Sequence, residues 1–447
     1  MPDDKIKLPP DFLERMQKML GEEYESFIET FGKESPYVGM RINALKSNAK
    51  EAVFKETGEL RQVPWCKNGY YTDKKNISGK HPYHAGGLVY FQEPSAMLTV
   101  ESICINEGDY VLDLCAAPGG KATQAAEKLK GTGLLVANEI IPKRAQILAE
   151  NIQRMGIKNA VVTNESPEKL SSKYRNFFDK IIVDAPCSGE GMFKKEPQAI
   201  GEWSIEHTVS CGQRQKNILQ SAFEMLKGDG YLVYSTCTFA PCENEEVVLW
   251  VLENYPEIEL VPIAADCVDC GRGEWADSDI DLSGTKRIFP HNVEGEGHFT
   301  ALFHKKTGDS ESYKKSYKCD GEKVFREFEK TALNTHLGGS FILFGERLYL
   351  IPESLDIDKI KTPLPGLYLG DLKKGRFEPS HALCLALEKD DFKRICEIES
   401  CEGFFRGETI PCNEKGWTAV TYCGYPIGWG KGSEGVLKNH FPKYLRF

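Results

Sequence analysis

Between residues 101 and 308 the sequence switches repeatedly from strand-like to helix-like patterning, and no other feature restricts the fold so tightly. Asp109 to Leu114 is a short apolar run that ends in a turn of small residues, with a helical stretch from Lys121. Leu134 to Ala137 is a second run, followed by helical spacing through Arg144 to Met155. Ala160 to Thr163, Lys180 to Val183 and Tyr231 to Tyr234 are three more. Strands that alternate with helices predict an α/β fold, with a mostly parallel sheet and helices on both faces. Ligands of such sheets bind beyond the carboxyl ends of the strands. The segments that follow the strands are therefore the candidate site.

The flanks differ from this middle region. Phe12, Met16, Met19 and Leu20 fall at helical spacing and predict an amphipathic helix over Phe12 to Phe31. Turn-rich sequence with Tyr70, Tyr71, Tyr83 and Tyr90 follows. Thr307 to Tyr317 is polar, rich in lysine and serine, and reads as a linker. Beyond it lie short strands and Gly-Pro turns, as in Ser340 to Ile351 and Trp417 to Ile427. The pattern divides the chain at residues 1–100, 101–308 and 309–447.

Composition bounds the partners. A net charge of -10 argues against a chain held on nucleic acid by bulk charge, but it leaves room for a local basic face. No run reaches the roughly 18 apolar residues of a membrane span, and MPDDKIKLPPDF lacks the apolar core of a signal peptide. A cytoplasmic protein without a membrane partner is expected, its 15 cysteines reduced. Cys267 and Cys270 have no second pair at ligand spacing, so no metal is expected. Nothing calls for an obligate oligomer, and a monomer is expected.

Two kinds of motif carry chemistry. Cys115, Ala116, Ala117, Pro118, Gly119, Gly120 and Lys121 join the first strand to its helix. Small residues let the backbone close on a ligand, and a helix start offers free N–H groups, so this loop is a cofactor cradle. Glu139 ends the next strand, where a carboxylate can accept from ribose hydroxyls. The loop is neither a dinucleotide fingerprint nor a phosphate-binding loop. DAPCSGEGMF follows the fourth strand and STCTFAPCENE the fifth, so Asp184, Cys187 and Cys237 should share the cradle's crevice. A lone cysteine after a buried strand is usually packing. A pair, each in a proline-bearing loop, suits covalent chemistry on a pyrimidine. Carbon 5 of cytosine is a poor nucleophile until a thiolate adds to carbon 6. Asp184 could hydrogen-bond the exocyclic amine and ring nitrogen of the base, and a base must later remove the carbon 5 proton.

CAAPGGK, Asn138-Glu139 with Arg144, DAPCSGEGMF and STCTFAPCENE together resemble the Sun/RsmF family of RNA cytosine-5 methyltransferases. FQEPSAM (Phe91 to Met97) and EGEGHFTALF (Glu294 to Phe303) resemble the segments that open and close the family's core. The resemblance implies a class I, Rossmann-like methyltransferase using S-adenosylmethionine, with an N-terminal α/β RNA-binding extension. It implies Cys237 as nucleophile, Cys187 as the cysteine of product release, and cofactor contacts from Cys115 to Lys121, Glu139 and Asp184. Arg144 matches a family arginine. Where the family carries an adenine-contacting Asp after the third strand, alignment places Ser166, with Asn164 or Glu165 as substitutes.

Pro365 to Leu387 and Gly424 to Arg446 resemble the β-rich, PUA-like modules of the bacterial RsmF branch. The second carries Lys431, Lys438, Lys443 and Arg446, a strip suited to phosphates. Tyr425, Trp429, Phe441 and Tyr444 either stack on unpaired bases or form the module's core, the commoner fate of large rings. The C-terminal likeness favours small-subunit rRNA as partner. A tRNA substrate, a non-catalytic ribosome-assembly role and a uracil-5 methyltransferase are the alternatives.

Overall fold

The computed structural model describes residues 7–33, 35–73 and 77–447. A small sheet comes first, with strands β1 (Tyr37–Ile42), β2 (Arg61–Gln62), β3 (Gly69–Asp73) and β4 (Val89–Phe91) in the order β2-β3-β1-β4. The central sheet contains β5 (Tyr110–Asp113), β6 (Leu134–Asn138), β7 (Ala160–Thr163), β8 (Phe178–Asp184), β9 (Leu226–Thr236), β10 (Ile258–Val261), β11 (Asp269–Cys270), β12 (Lys286–Ile288) and β13 (His298–Lys305). Its order is β11-β12-β13-β9-β8-β5-β6-β7, with β10 also paired to β13. Strands β5 to β9 pair in parallel, and β13 runs antiparallel beside β9. The chain winds outward from β5 through β6 to β7, then crosses back to β8. The switch point between β5 and β8 opens the crevice at the carboxyl ends of the strands.

Period-two alternation divides each central strand between two cores. Leu112, Val136, Val161, Ile181, Val183, Leu232 and Tyr234 enter one. Val111, Leu135, Ala137, Val162, Ile182 and Val233 enter the other. Both faces are covered, which is why the strands read as continuous apolar runs rather than as alternating polar and apolar residues.

Two expectations are corrected here. Phe12 to Phe31 is not one helix: Pro10–Leu20 ends at Gly21, and a second helix spans Tyr24–Glu29. Gly21 has φ +55°, a left-handed conformation that stops a helix and favours glycine. Thr307 to Tyr317 is not a free linker. The Tyr313 ring lies 5.6 Å from Tyr174 and 5.3 Å from Phe177, and the Lys315 N–H donates to the Ser354 carbonyl at 2.8 Å. Its polar composition gave no sign of this anchoring tyrosine.

The C-terminal part holds two more sheets. One runs in the order β14-β15-β16-β17 from Ser340–Phe344, Arg347–Ile351, Leu367–Lys373 and Arg376–Pro379. The other contains Ile395–Ile398, Ile410–Pro411, Gly416–Tyr422, Tyr425–Ser433 and Val436–Asn439. Ile351, Leu355, Ile357 and Ile360 complete one face of the central core, and the Val162 N–H donates to the Leu364 carbonyl at 2.7 Å. Among the described residues, no helix is long and apolar enough to cross a membrane.

Candidate active site

The carboxyl ends of β5, β6, β8 and β9 surround a cavity of about 600 Å³. Cys115, Ala117, Glu139, Arg144, Asp184, Cys187 and Cys237 all line it. The loop from Cys115 to Lys121 is held by side chains from the helix Pro142–Arg154 and from β1. Arg144 Nη2 donates to the Ala117 carbonyl at 2.8 Å, and Asn151 Nδ2 donates to that of Pro118 at 2.8 Å. Arg41, a fully buried residue of β1, donates to the Gly120 carbonyl at 2.9 Å and pairs with Glu127. Gly119 adopts φ +119°, and a Cβ there would meet Leu148 at 3.3 Å, so the turn requires glycine. Ala116 is buried behind the loop.

Asp184, at the end of β8, anchors the polar side of the cavity. Lys121 Nζ lies 2.8 Å from its Oδ2, Ser235 Oγ donates to Oδ1 at 2.8 Å, and His298 Nε2 lies 3.7 Å away. Burial pushes the Asp184 carboxyl up, but Lys121 and then His298 outweigh it and leave it below the ordinary range. Burial lowers Lys121, yet Asp184 holds the ammonium above its usual value. The pair is therefore charged at neutral pH.

The two cysteines meet across the loops, with Cys187 Sγ 3.3 Å from Cys237 Sγ. That contact, then burial, holds the Cys187 thiol well above the ordinary range, so Cys187 stays protonated. The residue after each cysteine ties the loops together: Ser188 Oγ lies 2.9 Å from Thr238 Oγ1. Glu243 accepts from the Ser188 N–H at 2.9 Å and from Gln215 at 3.0 Å. Burial raises its carboxyl to about 7.

Ser166 does not itself line the cavity but stands next to residues that do. Its Oγ accepts from the Lys169 N–H and caps the helix Pro167–Lys173, while Pro167 and Glu168 line the cavity. Asn164 donates to the Glu139 and Ile140 carbonyls, and Glu165 accepts from the Lys361 N–H. Asp113 was missed in the sequence. It ends β5 fully buried, both its carboxyl oxygens lack a partner, and burial followed by the Asp184 charge raises it to about 8. An acidic residue closing an otherwise apolar strand was the available signal.

Four family models match in series. Residues 8–94 match the N-terminal domain of 16S rRNA methyltransferase RsmF, and 101–304 match 16S rRNA methyltransferase RsmB/F. Residues 327–387 match the first C-terminal domain of RsmF rRNA methyltransferase, and 397–447 match the methyltransferase RsmF PUA domain. Ribosomal RNA small subunit methyltransferase F of Citrobacter koseri is 31% identical over 91% of this chain and 89% of its own. The chain belongs to the RsmF family. The Vibrio vulnificus (strain YJ016) protein of the same name is 30% identical over 98% of both chains. A solved methyltransferase homologue from Pyrococcus horikoshii is 28% identical, with TM-score 0.58, over 67% of this chain and all of its own. RsmB/F proteins use S-adenosylmethionine, and the cavity suits it. Ile140 and Ile141 are exposed apolar side chains on its wall, and Glu139 is a buried carboxylate beside them.

Proposed function

We propose that this protein transfers a methyl group from S-adenosylmethionine to carbon 5 of a cytosine in small-subunit rRNA, through a covalent bond between Cys237 and carbon 6. The observation that carries the reading is the 3.3 Å approach of Cys187 and Cys237 at the wall of the cofactor cavity. The bound cofactor supplies an electrophilic methyl group on a sulfonium. Glu139 and the loop from Cys115 to Lys121 would hold it, with Arg144 bracing that loop.

The chain's own residues handle the base. Ionised Asp184 accepts from the exocyclic amine and fixes the ring, while Lys121 fixes Asp184. Cys237, as the thiolate, adds to carbon 6 and drives the ring's carbon 5–carbon 6 π pair onto carbon 5, which would then take the methyl group from the bound cofactor, whose sulfur would keep the bond pair. A base must then take the proton on carbon 5, and the electrons of that C–H bond re-form the ring double bond and expel Cys237 as a thiolate. Cys187, protonated and in contact with Cys237, assists that release. The target base must be unstacked to reach this centre.

Residues 1–100 and 309–447 grip the RNA on this reading. Lys431 and Lys438 are cross-strand neighbours and exposed, and Lys443 and Arg446 are exposed as well. Tyr444, 75% exposed, can stack on a base, whereas Tyr425, Trp429 and Phe441 are buried in their module. A cytoplasmic monomer suffices for this work. Bisulfite sequencing of total RNA from cells with and without the gene tests the reading. A small-subunit cytosine that loses protection on deletion is expected. A change confined to tRNA would move the substrate, and no change in either RNA would sink the proposal.

A further inference from the structure

The loops that carry the two sulfurs are clamped from behind by a carboxylate whose counter-ion comes from the N-terminal helix. Glu190, in the Cys187 loop, is fully buried. Its Oε2 accepts from the Phe239 N–H at 3.0 Å, in the loop of Cys237. Its Oε1 accepts from Trp203 Nε1 at 2.8 Å and from Arg15 Nη2 at 2.6 Å. The next residue, Gly191, donates its N–H to the Cys237 carbonyl at 2.9 Å. Arg15 lies on the helix Pro10–Leu20, which buries Phe12, Met16 and Leu20 against Phe193, Trp203, Phe239 and Phe289. Its guanidinium sits 5.7 Å from the rings of both Phe12 and Trp203. A buried carboxylate in such apolar surroundings is tolerable only while it is paired. Among the described residues, Arg15 is the cation that pairs with Glu190. Arg15 itself does not line the cavity of the cysteines.

We propose that Arg15 is a positioning residue for methyl transfer. By neutralising Glu190 it holds the Cys187 and Cys237 loops in register, so the helix Pro10–Leu20 sets the turnover of a cavity that Arg15 does not line. Small displacements of reacting groups are costly in rate, which gives such a clamp its leverage. The inference rests on the function proposed above, and the test separates the two.

The full chain is assayed for methylation of small-subunit rRNA as parent, Arg15→Leu, Arg15→Lys and Arg15→Gln. Cofactor binding is measured by calorimetry and folding by thermal melting. No transfer by the parent would overturn the functional reading and this inference with it. With an active parent, Arg15→Leu is expected to lower kcat about 10- to 100-fold, leaving KM for RNA and cofactor Kd within about threefold. Arg15→Lys, which keeps the charge, is expected to recover most of that loss. An Arg15→Leu kcat within about threefold of the parent would overturn the proposal, as would a loss confined to KM, which would mark Arg15 as an RNA contact instead. If Arg15→Leu fails to fold, the Lys and Gln variants decide: equal kcat values for the two would overturn it.

Discussion

At the level of single residues, the two roles proposed for Cys237 and Cys187 predict different failures. Cys237→Ser should abolish methyl transfer while cofactor affinity stays nearly unchanged, because a hydroxyl is a far weaker nucleophile at neutral pH. Cys187→Ser should instead accumulate a covalent protein–RNA adduct, visible as a slow band on a denaturing gel. An adduct that depended on Cys187 rather than Cys237 would exchange the two roles. Glu243, behind both, gives a pH prediction. Its carboxyl rises from an ordinary 4.5 to about 7 through burial. A raised acid favours the folded state fully below pH 4.5 and loses that contribution as pH rises to about 7, a change of about 3 kcal/mol. Urea unfolding of Glu243→Gln should show a flatter dependence than the parent across that window. Parallel curves would show that the carboxyl titrates at its ordinary value.

At the level of elements, local patterning located the central strands because both their faces are buried, and burial writes itself into the sequence as apolar runs. It located the loops after them for the same reason. It did not show what a neighbour in space decides. Ser166, which aligns with an adenine contact, also caps the helix Pro167–Lys173, because the chain turns into a helix start at that point. Ser166→Ala should therefore cost ~1 kcal/mol of stability, read as a lower Tm, and leave cofactor affinity within about twofold. A large loss of affinity without a change in Tm would return the residue to the cofactor. Glu190 went unread as a site residue because the distant partners that define it are assembled only by the fold.

At the level of the whole molecule, the C-terminal part is built into the central core. Lys173 pairs with Asp356 at 2.5 Å, the Tyr174 hydroxyl donates to the Asp356 carbonyl at 2.8 Å, and Lys46 of the N-terminal part donates to the Leu385 carbonyl. A chain ended at residue 308 would uncover the core face now closed by Ile351, Leu355, Ile357 and Ile360. Such a fragment should melt well below the full chain or aggregate, since each large apolar side chain left without its neighbours forfeits about 1.5–3 kcal/mol. A fragment that melted at the parent temperature would show the contact to be energetically idle.

The sequence alone determined the strand–helix alternation, the small-residue loop from Cys115 to Lys121 and the place of the two cysteines after their strands, because each is a short-range pattern set by burial or by the backbone freedom of small residues. It left open what the aromatics of the last module do. Packing decided that Tyr425, Trp429 and Phe441 are core and Tyr444 is exposed, since an alternating strip does not reveal which face another element covers. The tertiary structure also decided that Cys187 and Cys237 touch, that Lys121 and Asp184 form one charged pair, and that a helix from the first part of the chain supplies the counter-ion of the loops behind them. These are contacts between residues far apart in the chain, and they exist only once the sheet has brought its strand ends together.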